Sequence, residues 1–124
     1  PKPGDLIEIK RGRSQHWALY VGDGYVIHVT AADENAPPVV AESVTLVTKR
    51  AMVRKQLLKK VTENFDWDIN NKYDRYRIPF PMEEIIWRAK PWINKEVPYL
   101  LFEENCEHFV TMLRYGEGVS DQVS

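Results

Sequence analysis

The amino-terminal third alternates short apolar runs with turn residues. Leu6, Ile7 and Ile9 sit in the segment Asp5-Leu-Ile-Glu-Ile after an extended lead-in, Pro1 to Gly4, and predict a first strand. His16-Trp-Ala-Leu-Tyr-Val predicts a second strand and Tyr25-Val-Ile-His-Val a third, with Gly22-Asp23-Gly24 as the hairpin between them. Lys10 to Gln15, containing Gly12, reads as a basic loop, and residues 31–43, with Asp33, Glu34, Asn35, Pro37 and Pro38, as a second loop. Val44 to Val61 predicts one or two strands joined near Lys49-Arg50 rather than a basic helix. Asn64 to Pro81, rich in Asn, Asp, Tyr and Pro, predicts irregular chain with one short strand. Ile85, Ile86, Ala89 and Ile93 recur at helical spacing after Pro81, so a helix is expected over 82–93, kinked or cut short at Pro91. The clearest helix runs from Glu103 to Tyr115 and is stopped by Gly116.

These elements fit one domain over residues 1–124, because 124 residues leave little for a second core. With 44% hydrophobic and 28% charged residues, the chain has ordinary globular usage, and disorder is excluded as its general state. No run approaches the roughly 18 apolar residues of a membrane span. The chain starts at Pro1 without Met and without an apolar leader, so it reads as a processed piece.

The net charge of −1 conceals two unlike halves. Residues 1–60 hold ten basic and six acidic side chains, and residues 61–124 hold seven and twelve. Lys49, Arg50, Arg54, Lys55, Lys59 and Lys60 form one basic stretch, and Lys10, Arg11 and Arg13 a second. The plain reading is a solvated face; the alternative is contact with phosphates, of which lipid head groups are the better choice. Nucleic acid is not expected as a partner, because the pI is 6.4 and no nucleic-acid-binding signature is present.

One cysteine, Cys106, excludes an internal disulfide, points to a reducing compartment and leaves a thiol to account for. It lies near the start of the last expected helix, on the face of Phe109, Val110 and Leu113. His108 lies about 200° around the axis and is a poor partner for it. The positive end of a helix favours thiolate, which is half of an activated nucleophile. The competing reading is a buried, inert cysteine acting as a small hydrophobe.

The other half is a base, and His16 and His28 lie on the two hairpin strands. A two-residue Asp23-Gly24 loop sets the two imidazoles on opposite faces of the sheet. A three-residue loop with Gly24 left-handed sets His28 opposite Ala18 and brings His16 onto the same side, diagonally. The shared face is the expectation carried forward. The helix with Cys106 then packs over both, with His16 as base and His28 fixing its tautomer. Two core histidines bonded to backbone are the bland alternative. A metal held by His16, His28 and Cys106 ranks lower, since no fourth ligand or supporting carboxylate is evident.

The segments Pro3-Gly-Asp-Leu-Ile-Glu-Ile, His16-Trp-Ala-Leu-Tyr-Val-Gly-Asp-Gly-Tyr-Val-Ile-His, Asn70-Asn71-Lys72, Asn105-Cys-Glu-His-Phe-Val and Leu113-Arg-Tyr-Gly resemble the HRAS-like suppressor proteins. These are phospholipase A/acyltransferases of the lecithin:retinol acyltransferase-like group, and the resemblance covers essentially the whole chain. It implies an α+β domain of permuted papain-like (NlpC-type) fold, an antiparallel sheet packed against a helix bearing the nucleophilic cysteine. It implies Cys106 as nucleophile forming an acyl-thioester, His16 as general base and acid, and His28 as the residue orienting His16. The backbone N–H of Cys106 is the natural first oxyanion donor. The substrates implied are glycerophospholipids, with acyl transfer to water, to the amine of phosphatidylethanolamine or to a lyso-phospholipid. Neither calcium, another metal nor an organic cofactor is expected.

The chain departs from the family pattern in two loops. Arg13-Ser14-Gln15 stand where many members carry an aromatic before the base histidine, and Thr30 to Ser43 lacks the Ala-Pro-Pro-Ser pattern. Many members also end in a hydrophobic anchor. This chain stops at Ser124 without one, so either the anchor was removed from a longer form or the membrane is bound peripherally; Arg11, Arg13, Lys49, Arg50, Arg54 and Lys55 are then the candidate contacts of a monomeric, cytoplasmic enzyme with the membrane surface. Trp17 and Trp92 are open between interface and core. The rival functions are a cysteine peptidase or amidase using the same triad, and an interaction module with a buried cysteine.

Overall fold

The structure is a computed structural model and describes residues 1–31, 49–99 and 104–118. The elements are β1 (Leu6–Arg11), β2 (Ser14–Gly22), β3 (Tyr25–Ala31), β4 (Lys49–Leu57), α1 (Leu58–Val61), β5 (Asp66–Ile69), α2 (Met82–Ala89), β6 (Glu96–Tyr99) and α3 (Glu104–Tyr115). Short 3₁₀ turns occupy Lys72–Arg75 and Lys90–Trp92. The strands form one antiparallel sheet in the order β5-β1-β2-β3-β4-β6, giving an α+β architecture.

The expected elements appear with shifted edges. The basic loop shrinks to Gly12-Arg13, because Lys10 and Arg11 continue β1 and pair with Gln15 and Ser14. Lys49-Arg50 is not a join between strands; the two residues open β4. The expected loop over 31–43 lies outside the described residues except for Ala31, which ends β3, and residues 44–48 are also outside them. Pro91 ends α2 as a helix and continues it as a 3₁₀ turn. Strand β6 carries no signal in the sequence: four residues containing Pro98 are long enough only for an edge.

Alternation along the strands divides the apolar residues between two faces. Leu6, Trp17, Leu19, Ile27, Val29, Ala51 and Val53 pack against Ile85 and Ala89 of α2 and Cys106, Phe109, Val110 and Leu113 of α3. Ile7, Ile9, Ala18 and Val26 form the smaller core on the other face, under Leu58 and Val61 of α1 and beside Trp67. Trp17 is therefore core, at 2% exposure, and Trp92 stacks edge-on against Phe109 at 5.7 Å. No helix among the described residues is long and apolar enough to cross a membrane.

Polar clamps hold the layers in place. The side-chain oxygen of Asn71 accepts from the Leu6 N–H (2.8 Å) and its amide donates to Asp5 (3.1 Å), while Asn70 donates to Glu8 (3.0 Å). Arg114 ties the end of α3 to the Gly4 carbonyl (2.7 Å) and to both oxygens of Asp74 (3.1 and 2.8 Å). Burial alone raises the Asp74 carboxyl, yet the bonds from Arg114 and Tyr115 outweigh it and hold the group below its ordinary value.

Candidate active site

The hairpin settles where the histidines point. Asp23 and Gly24 form a two-residue turn closed by Gly22 and Tyr25, with positive φ at Gly22 (102°), Asp23 (55°) and Gly24 (85°). Beyond it the ladder shifts: Tyr20 pairs with Val26 and Leu19 with Ile27, so Val21 is an extra residue in β2. The three-residue loop expected from Gly24 is thus replaced by a two-residue turn and a bulge. The resulting register is the one that loop implied, because either device adds one residue to β2. His16 and His28 consequently share a face.

The two rings meet across the strands. His16 Nε2 lies 2.8 Å from His28 Nδ1, with the ring planes at 80°. His16 is 6% exposed and His28 3%. Burial pushes the His16 imidazole well below its ordinary value of 6.5, and the fields of His28 and Arg11 push the same way. Arg11 is next to His16 by register, since it pairs with Ser14 while His16 pairs with Ile9.

The thiol belongs to the core on the α3 side of the sheet. Trp17, Leu19, Ile27 and Val29 face α3, so the alternating residues His16 and His28 leave the sheet on its other side. The helix therefore does not lie over the imidazoles. The β2–β3 ladder stops short here, leaving an opening in the backbone pairing. Pairing between β2 and β3 ends at Leu19 and Ile27, although β2 continues along β1 and β3 along β4. Val53 gives its N–H to Lys95 O (3.0 Å) and takes that of Asn94 on its carbonyl (2.7 Å), so its polar groups face away from β3. Its partner Val29 must then direct its own N–H and C=O toward β2, into the opening. The Cys106 thiol donates to this Val29 carbonyl at 3.7 Å. His16 borders this opening on β2 and His28 on β3, and their ring-to-ring bond spans the strands where the backbone ladder has stopped.

Cys106 is the third residue of α3 and 2% exposed. Glu107 beside it is a buried carboxylate that accepts from Tyr73 Oη (2.8 Å) and lies 3.9 Å from Lys72 Nζ. Lys72 in turn stands over the Trp17 ring at 5.4 Å. The Asn70-Asn71-Lys72 segment thus reaches both β1 and the start of the cysteine helix. Tyr73→Phe should remove a hydrogen bond to a buried charge and cost about 1.5–3 kcal/mol, read from the urea midpoint at unchanged slope.

Two residues at the site, Tyr73 and Gln56, gave no functional signal in the sequence, and Glu107 entered only as part of the Asn105-Cys-Glu-His-Phe block. The Gln56 side-chain oxygen is 2.6 Å from Nε2 of His28. In sequence Gln56 is an ordinary polar strand residue; only the β3–β4 register puts it within reach. His108, part-exposed on α3, takes no part in the pair. The metal alternative does not fit the geometry: His16 Nε2 and His28 Nδ1 are spent on each other. No group of three or more His, Cys, Asp or Glu among the described residues is placed to hold a metal ion.

The sequence that carries this thiol and the two imidazoles matches a known family. The family described as lecithin retinol acyltransferase matches residues 1–119. The chain belongs to that family. It is 52% identical over 124 residues to phospholipase A and acyltransferase 1 of Homo sapiens, covering 100% of this chain and 73% of the relative. It is 50% identical over 123 residues to phospholipase A and acyltransferase 3 of Mus musculus, covering 99% of this chain and 76% of the relative. Against phospholipase A and acyltransferase 2 of Homo sapiens it is 46% identical over 124 residues, covering 100% of this chain and 76% of the relative.

The basic residues near the site are only partly committed. Within the family domain Lys10 pairs with Asp68 (3.0 Å), Lys55 stands 5.0 Å from the centre of the Tyr25 ring, and Arg11 5.6 Å from that of Phe65. The Nε of Arg11 is buried and without a hydrogen-bond partner among the described residues. Lys49 and Arg50 are described in their backbone alone.

Proposed function

We propose that this chain is a thiol phospholipase A and acyltransferase that works on glycerophospholipids through an acyl-thioester on Cys106. The observation that carries the reading is the Cys106 thiol on the carbonyl of Val29, the residue next to His28, whose ring is bonded to that of His16. Relatives named phospholipase A and acyltransferase, at about half identity over the whole chain, supply the substrate class.

The reaction follows from the groups present. His16 Nδ1 takes the thiol proton, and the sulfur attacks the carbonyl carbon of an sn-1 or sn-2 ester. The resulting oxyanion is met by the N–H of Cys106 in the first turn of α3, where backbone donors have no helical partner. Collapse breaks the C–O bond, and the His16 imidazolium returns its proton to the departing lyso-phospholipid oxygen. In the second half His16 removes a proton from water, from the amine of phosphatidylethanolamine or from a lyso-phospholipid hydroxyl. The C–S bond breaks as the acyl group passes to that acceptor, and the His16 imidazolium returns the proton to the departing sulfur. Both half-reactions keep charge within reach of an imidazole and a backbone donor, so no step calls on calcium.

Several finer points belong to the same reading. The order of the chain, histidine strands before cysteine helix, supports a permuted papain-like arrangement in a single catalytic domain. Arg11, beside His16 and with an unused donor, is suited to a phospholipid phosphate. Arg13, Lys49, Arg50, Arg54 and Lys55 are the further basic residues proposed as contacts of a monomeric, cytoplasmic enzyme with an anionic membrane.

The test is product analysis. With phosphatidylcholine vesicles the protein should release lyso-phosphatidylcholine and free fatty acid at the same rate with and without a calcium chelator. Added phosphatidylethanolamine should yield its N-acyl derivative. Cleavage of peptide amides without turnover of phosphatidylcholine would instead establish a peptidase.

A further inference from the structure

The mechanism above leaves Gln56 without a role, although its side chain makes the shortest contact at the site. We propose that Gln56 is a positioning residue that sets the tautomers of both histidines and so places the basic lone pair on Nδ1 of His16. The proposal rests on His16 being the base and adds what decides which of its nitrogens is basic.

The chain of reasoning starts at an atom that cannot donate. The Gln56 side-chain oxygen only accepts, so at 2.6 Å His28 Nε2 must carry a hydrogen. A neutral imidazole has one N–H, which leaves Nδ1 of His28 as a lone pair. That lone pair lies 2.8 Å from Nε2 of His16, so the hydrogen between them belongs to His16 Nε2. Nδ1 of His16 is then unprotonated, and it has no hydrogen bond to protein among the described residues. It is the one acceptor in the series left for a thiol proton. No proton passes to Gln56 at any stage. When His16 becomes an imidazolium, His28 Nδ1 still accepts from it, and Gln56 keeps His28 from presenting an N–H there.

Local geometry makes this alignment specific to position 56. His28 pairs with Arg54, and Gln56 is two residues further along β4 on the same face. The His28 ring thus turns Nδ1 toward β2 and Nε2 toward β4. An amide turned the other way would donate to Nε2 of His28, reverse both tautomers and put a hydrogen on Nδ1 of His16. A carboxylate at 56 would accept the same bond but add a negative charge beside the pair, whose His16 imidazole burial holds neutral. The charged and titratable groups around the pair are Arg11 from β1, Arg54 from β4, the exposed Lys59 and Lys60 of α1, and Cys106 from α3. Glu96 of β6 shares the face, at the register of Met52, two strands beyond His28. The near neighbours are therefore mostly cationic and oppose protonation.

The test reads protons directly. Two-bond ¹⁵N–¹H correlation spectra of the resting protein at pH 7.5 should show Nε2–H on His16 and on His28. Gln56→Leu should populate the opposite tautomers and lower kcat/KM on phosphatidylcholine about tenfold, the effect of one aligned hydrogen bond. Gln56→Glu should keep the wild-type tautomers and most of the activity at high pH. Its acid limb of kcat/KM should move to higher pH by roughly one unit, because a nearby negative charge favours the imidazolium. Should Gln56→Leu fail to fold, the limb of Gln56→Glu decides. A hydrogen on Nδ1 of resting wild-type His16 would overturn the proposal. So would unchanged tautomers in Gln56→Leu, or an unmoved limb in Gln56→Glu. The spectra need no turnover: expected tautomers in a protein inactive on phosphatidylcholine would sustain the role of Gln56 and overturn the lipid reading.

Discussion

Incubated with phosphatidylcholine and quenched in acid, wild-type protein should gain the mass of one fatty acyl chain, and Cys106→Ser should gain none that hydroxylamine removes at neutral pH. The adduct is a thioester, so hydroxylamine should return the wild-type mass. Steady-state hydrolysis by Cys106→Ser should fall by about three orders of magnitude or more, the usual cost of losing a member of a nucleophile–base unit. The physical reason is that a hydroxyl is far harder to ionise than a thiol, and the neutral His16 is too weak a base to compensate. Folding should survive the change. The serine hydroxyl is smaller than the thiol and finds the same acceptor, the Val29 carbonyl that now lies 3.7 Å from sulfur. A melting temperature within a few degrees of wild type, together with the missing adduct, separates lost chemistry from lost structure. Persistence of a hydroxylamine-sensitive acyl adduct in Cys106→Ser would place the nucleophile elsewhere.

His16→Gln should lower kcat/KM by about 10²–10⁴, the range of a positioned general base. The pH dependence carries more information than the size of the loss. In the wild type the acid limb of kcat/KM should lie below 6.5, because burial, His28 and Arg11 all disfavour the His16 imidazolium. Above that limb the base is neutral and ready. His16→Gln should lose the limb along with the rate. Stability should change in the same direction. The unfolded chain takes up the His16 proton near 6.5, and the folded chain takes it up only at lower pH. Between these values the unfolded state binds more protons, so stability is full above about 6.5 and falls as the pH drops through the window. Thermal melts of wild type from pH 8 to 5 should show this decline, and His16→Gln should flatten it. An acid limb above 6.5 in the wild type would contradict the buried, neutral base.

Gln56 and Glu107 place limits on how the site is engineered. Glu107 anchors the start of α3 through Tyr73, so changes there should move the thiol as well as weaken the fold. Changes at Gln56 should alter protonation first, since its contact is with His28 alone among the bonds described.

Which residues belong to strands and helices was largely legible in the chain, because period-two and period-3.6 patterns follow from short-range geometry. Leu6 to Ile9, the His16 and His28 strands, the helix after Pro81 and the helix stopped by Gly116 all declare themselves locally. The lone thiol on an apolar helix face and the two histidines on a hairpin were also visible, and with the Asn105-Cys-Glu-His-Phe block they pointed to the family. Strand β6 was not legible: four residues with a proline form a strand only because β4 offers an edge to pair with. The hairpin register was not decided by the turn residues, since Gly22, Asp23 and Gly24 permit loops of either length. The bulge at Val21 settles it, and with it whether the imidazoles meet. The end of the β2–β3 ladder, the thiol bond to Val29 and the Gln56 contact belong to tertiary structure alone. They depend on residues from β2, β3, β4 and α3 whose separations along the chain impose nothing on their distances in space.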